Sequence, residues 1–221
     1  MTVRELKELP SIDAVRSRWQ ALAMFDVLLR GSAEHRDFSF DRKWTRTASF
    51  GNVDDQQGAN LRGAFLRSGA VLRGYDESSP LAWSGSPEEL GKVDEEAMDV
   101  VRGLPLELRR VFQASGFRFL GSTYCIWAVG GNDPWRAVPI LESSPALSSH
   151  DLEFLDLFMM SAAEFVVWSR EMYEREVPHD CVEHLFNFGS LDVAVLRAFD
   201  RMEDISTVRS IAARIGYPCE V

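Results

Sequence analysis

LRGAFLRSGAVLRGYDESSP, Leu61 to Pro80, decides how the rest of the chain is read. Two apolar-rich runs, LRGAFLR and AVLRGY, flank Ser68-Gly69. A two-residue link containing glycine supplies the positive φ that tight hairpin turns need. The stretch therefore predicts an antiparallel hairpin with Ser68-Gly69 at its turn. That turn pairs Phe65 with Leu72, Leu66 with Val71, Gly63 with Gly74 and Leu61 with Asp76. Past Tyr75 the run turns polar, with Asp76, Glu77, Ser78 and Ser79 in a row before Pro80.

Working outward, GNVDDQQGAN (Gly51 to Asn60) reads as a turn-rich loop. Phe38, Phe40 and Trp44 alternate with polar residues, which suggests a strand. Ser11 to Arg30 reads as a first helix. Ser11 can cap it, Ile12, Val15, Trp19, Leu22, Ala23 and Leu29 form one apolar stripe, and Gly31 ends it. Downstream, Glu88 to Arg102 and Leu106 to Ala114 read as helices split by Gly103-Leu104-Pro105. A second hairpin follows, STYCIWAV and PWRAVPI around Gly130 to Asp133.

After Leu147 the pattern is helical. Ser149 precedes DLEFLDLFMM, and Ser161 with Glu164 forms a capping box for a helix running to Pro178. His179 to Phe186 is a short helix, Ser190 caps DVAVLRAFD, and a last helix begins at Asp204 or Ser206 and stops at Gly216. Strands in the first two-thirds and helices in the last third indicate an α+β fold. We expect an antiparallel sheet of about five strands, an N-terminal helix and a helical C-terminal third. Residues 1–221 make a single domain, with the helix and sheet in 1–147 and the helical part in 148–221.

The chain is 221 residues with a net charge of −10. An acidic surface repels phosphate backbones, so nucleic-acid binding is not expected. No run approaches the roughly 18 apolar residues that cross a membrane, and Met1 to Trp19 lacks the apolar core of an export signal. Cys125, Cys181 and Cys219 are far apart and odd in number, which suits reduced thiols in the cytoplasm. The acid is uneven. Glu88, Glu89, Asp94, Glu95, Glu96 and Asp99 stand against Lys92 alone. Such a segment is either a solvated face or a surface for a basic protein partner.

Gly69 to Pro80 resembles a segment of a group of uncharacterised bacterial proteins. Theirs reads glycine, two apolar residues, lysine, glycine, phenylalanine, then histidine, glutamate and serine before methionine or proline. Gly51-Asn52 to Asp55, Cys125-Ile126-Trp127 with Pro134-Trp135, Val166-Val167-Trp168 with Tyr173-Glu174, and Ile215 to Pro218 resemble further parts of that group. The resemblance implies one coherent fold over most of the chain and no assigned activity. Asp76 or Glu77 stands where the group carries histidine.

The candidate site is the open end of the first hairpin, where Asp54, Asp55, Asn60, Asp76, Glu77 and Ser78 would gather. Hard oxygen ligands of this kind suit a divalent cation, Mg²⁺ or Ca²⁺, and crowded carboxylates can supply a general acid. The same residue types are also those that polar turns require. HDCVEH, His179 to His184, holds metal-ligand residue types at poor spacing for zinc. No GxSxG elbow, phosphate-binding glycine loop or dinucleotide fingerprint is present. The expectation is a binding protein, an immunity- or antitoxin-like partner of a basic protein. The alternatives are a metal-assisted hydrolase using the carboxylate edge and a structural homodimer subunit.

Overall fold

The computed structural model describes residues 6, 8–31, 36–79, 82, 103–113, 117, 122–130, 133–137 and 153–221. The acidic segment from Glu88 to Asp99 lies outside the described residues, as does the helix expected there. No described helix is long and apolar enough to cross a membrane.

The fold is α+β. Six strands form an antiparallel sheet in simple sequence order: β1 (Phe38–Asp41), β2 (Ala48–Asp54), β3 (Ala59–Leu66), β4 (Gly69–Asp76), β5 (Tyr124–Val129) and β6 (Arg136–Ala137). The expected count of about five was one short. The region between Phe38 and Phe50 makes two strands, with Trp44 in the turn between them. The expected loop from Gly51 to Asn60 is mostly strand: Gly51 to Asp54 belong to β2, and Ala59 and Asn60 open β3.

The β3–β4 hairpin forms, but its turn is Arg67-Ser68, one residue earlier than predicted. Leu66 pairs with Gly69, Phe65 with Ala70, Gly63 with Leu72, Leu61 with Gly74 and Ala59 with Asp76. Each partner thus moves by two residues, which keeps every side chain on its predicted face because the pleat repeats every two. Gly69 is needed for space. A Cβ there would sit 2.2 Å from the Ala128 carbonyl oxygen of β5.

One sheet face is built around a glycine pair. Gly51 and Gly63 are directly opposed in β2 and β3. The Trp19 indole rests on them, so close that a Cβ at either would fall 2.4–2.5 Å from its ring atoms. Trp19 lies in α1 (Ile12–Arg30), capped by Ser11 as expected and closed by Gly31 at φ 71°. The single apolar stripe understates this helix. Every residue from Trp19 to Leu29 is buried, including Gln20 and Asp26. The sheet covers one side, and the C-terminal helices cover the other. Gln20 Nε2 donates to the Ile215 carbonyl at 2.8 Å, and Phe25 meets Phe165, Phe186 and Phe199 at 5.0–6.0 Å. The far face of the sheet is covered by Leu104, α2 (Leu106–Arg109), the following 3₁₀ turn and Phe117. There the guanidinium of buried Arg73 donates to Ser122 Oγ and the Phe117 carbonyl, between the Phe112 and Phe117 rings.

The helical third runs α3 (Glu153–Asp156), α4 (Ala162–Tyr173), α5 (His179–Phe186), α6 (Val193–Ala198) and α7 (Ile205–Ile215). The Ser161–Glu164 capping box is present with both bonds made. Three boundaries differ from the sequence reading. From Glu153 on, the described residues of DLEFLDLFMM hold the one-turn α3, followed by a turn to Met159. Helix α4 stops at Tyr173 because Glu174 turns left-handed, φ 50°. Asp192, rather than Ser190, caps α6, accepting from Val195 N–H at 2.8 Å.

Candidate functional site

The β2–β3 turn and the end of β4 meet the helical third at a cavity of about 580 Å³. Its sheet wall begins with the turn. Asp55 Oδ1 accepts from the N–H groups of Gln57 and Ala59 at 2.8 and 3.0 Å, which closes the turn. Asp54 accepts from Gln56 N–H at 2.9 Å. Gly58 has φ 106°, a conformation that only glycine adopts cheaply. It also makes room, because a Cβ there would lie 2.3 Å from Glu77 Cδ. The Glu77 side chain therefore folds over Gly58, anchored by its own N–H donating to the Gly58 carbonyl at 3.1 Å. Asp76, at the end of β4, is buried. Its Oδ1 accepts from Ser78 N–H at 2.8 Å and Ser78 Oγ–H at 2.7 Å.

The opposite wall comes from the helical third. Phe154 and Asp156 of α3, then Leu157 and Met160, and Trp168 and Met172 of α4, line it. Asp55, Asp76, Glu77 and Asp156 thus share one cavity with an apolar floor, and among the described residues no Lys, Arg or His lines it.

Of the residues expected at this edge, Asp55, Asp76, Glu77 and Ser78 line the cavity. Asp54 and Asn60 do not. They are paired with each other across β2 and β3, and Asn60 faces Tyr75 rather than Glu77. Strand alternation puts both on the face opposite Asp76. Asp156 and the apolar floor were not expected at this edge; they arrive from about eighty residues downstream.

Behind the cavity lies a buried ionic group that the sequence reading also missed. Asp26 of α1 is fully buried and accepts from Phe38 N–H at 2.7 Å. Arg30 Nε stands 3.4 Å from Asp26 Oδ1. The same guanidinium grips both oxygens of Asp37, at 3.0 and 2.7 Å. Burial pushes the Asp26 carboxyl up to about 6, against the lowering effects of the Phe38 amide and Arg30. Burial also raises Asp37, with Arg30 opposing. It holds the Tyr173 phenol well above its ordinary value, helped by Asp26 beside it. Trp168 bridges this group to the cavity. Its ring meets Tyr173 at 6.1 Å and Phe38 at 6.0 Å, while also lining the cavity wall.

The HDCVEH helix is local structure. His184 Nε2 sits 2.8 Å from the Ser190 carbonyl oxygen and its ring packs on Gly189, while His179 lies 3.7 Å from Asp180. Cys125, Cys181 and Cys219 are all free thiols. Among the described residues, no three His, Cys, Asp or Glu side chains gather closely enough to hold a metal ion. Comparison with protein-family models, with curated proteins and with solved structures finds no match.

Proposed function

We propose that this is a binding protein whose partner is a basic protein, engaged through the acid-lined cavity. The observation that carries this reading is the lining itself. Four carboxylates stand around an apolar floor, with no basic residue among the described residues that line it. Asp76 is buried, Asp55 and Asp156 are half-buried and Glu77 is exposed, so the cavity mouth presents negative charge beside apolar surface, and a partner of opposite charge is its natural occupant. An immunity- or antitoxin-like role, in which an acidic chain masks a basic one, fits the net charge of −10. The acidic segment from Glu88 to Asp99 would then steer the approach.

The hydrolase reading is weaker. It asks the carboxylates to hold a divalent ion, yet Asp55 Oδ1 and Asp76 Oδ1 each already accept two local hydrogen bonds. The test is capture of partners at low salt by the parent chain and by a Glu77→Gln/Asp156→Asn variant. The reading expects a basic protein recovered by the parent and lost by the variant. Identical recovery by both, or none by either, removes its support. Reversing Glu95 and Glu96 to Lys should slow association by about tenfold without weakening the docked contacts to the same degree.

A further inference from the structure

We infer that Arg18 is a recognition point for a carboxylate, and that the surface where α1 meets the end of α5 receives an acidic side chain of a partner segment. Neither Arg18 nor Phe186 lines the cavity, so this surface is separate from it and the inference does not rest on the reading above.

Arg18 lies half-buried in α1. Its guanidinium carbon stands 3.4 Å from the centre of the Phe186 ring, so the cation lies over the last residue of α5. Its Nη1 is buried and has no hydrogen-bond acceptor among the described residues. Burial pulls the group down to about 10, and no carboxylate opposes that shift. Every other buried or half-buried arginine among the described residues has its charge answered. Arg16, Arg30 and Arg175 pair with Asp13, Asp37 and Asp200, Arg62 faces Asp54, and Arg36, Arg73, Arg109 and Arg201 donate to backbone carbonyls. Acid is not scarce, since the chain carries 34 Asp and Glu against 24 Lys and Arg. A desolvated donor without an acceptor costs stability, which a partner's oxygen would recover.

The geometry selects the acceptor. A guanidinium seated on an aromatic face keeps its in-plane N–H donors for a group at its edge, and a carboxylate meets such an edge with two parallel bonds. A phosphate group carries nearly two charges, whereas no second base acts on Arg18. The flank is apolar. Phe186 is half-buried, and Phe188 two residues on is held at φ 59°, where glycine is cheap, with its half-buried ring 4.7 Å from Tyr217. Low polarity around the contact strengthens a charge-assisted pair.

The experiment follows the arginine Nε–H resonances of the full chain during titration with N-acetyl-Leu-Glu-Leu amide. The glutamine analogue of that peptide and inorganic phosphate are the comparison ligands. A saturable shift of the Arg18 Nε–H is expected, half-complete at about 1 mM, with both comparison ligands at least about tenfold weaker. Arg18→Met should abolish peptide binding while unfolding at no lower urea concentration than the parent, because it removes an unanswered charge. If Arg18→Met does not fold, Arg18→Lys decides. It keeps the charge without the fork and should bind at least about fivefold more weakly. No saturable shift at Arg18 overturns the inference and leaves a ring-stacked structural arginine only. Equal response to the glutamine analogue, tighter binding of phosphate, or undiminished binding by the Arg18 variants overturns it as well.

Discussion

Replacing Asp26 by Asn tests the electrostatics behind the cavity. The Asp26 carboxyl lies at about 6 in the folded chain against an ordinary 3.8. Between those values the folded state holds a proton that the unfolded state has released. The stability this contributes is full below about 3.8 and is lost as pH rises through about 6, opposite to the usual surface carboxylate. The gap corresponds to about 3 kcal/mol, at about 1.4 kcal/mol for each pH unit. Full burial of the side chain makes this figure applicable without a discount for solvent screening. Asp26→Asn keeps an oxygen for the Phe38 N–H and removes the titration. Arg30 retains its two-pronged grip on Asp37. Asp37, Tyr173 and Arg36 also face this region, and to first order their titrations are shared by both chains and drop out of the difference. The assay is urea unfolding of parent and variant at intervals from pH 4 to 7.5. The stability of the parent relative to the variant should fall by up to about 3 kcal/mol across that range. Parallel curves would refute the argument, because they would mean that Asp26 titrates alike in both states.

Three further outcomes can be checked together. Gly69→Ala places a methyl 2.2 Å from a backbone oxygen of β5. It should cost at least about 1–3 kcal/mol in denaturant unfolding, as overpacked sites do, and a neutral result would mean that β4 and β5 separate easily. Asp192→Ala removes the α6 cap and should cost about 1 kcal/mol, whereas Ser190→Ala should change stability by no more than about 0.5 kcal/mol. Equal effects would show that the cap is misassigned. The Cys125 thiol, buried and pushed up to about 12, should resist a thiol reagent under native conditions while Cys181 and Cys219 react first; peptide mapping after brief labelling reads the order.

The parts of this fold that were legible in sequence are those specified locally. Ser11, the Ser161–Glu164 box and Gly216 announce helix ends because their side chains or left-handed backbone satisfy groups only a few residues away. The β3–β4 hairpin was visible for the same reason, although Gly69 misled about the turn. Its role is close approach to β5, a contact some sixty residues away. Gly51 and Gly58 looked like loop residues; Gly51 lies instead in β2, where it makes room for Trp19, whereas Gly58 does sit in the turn and also makes room for Glu77. The carboxylate edge was legible on its sheet side. The second wall was not, since Asp156, Met160 and Trp168 come to the same cavity as Asp76 only through tertiary packing. Asp26 and Gln20 sat in a helix read as amphipathic, and only the discovery of structure on both sides explains why they are buried.

The central claim is that the cavity between the β-sheet edge and α4 meets a basic partner. The chain contains seven methionines, and Met160 and Met172 line the cavity. Labelling the methionine methyl groups and recording their resonances during titration with a short basic peptide places the contact directly. The account predicts saturable shifts at Met160 and Met172, with Met24, buried in α1, unmoved. Saturation of shifts elsewhere with Met160 and Met172 unchanged, or no saturable shift at any methionine, would contradict it.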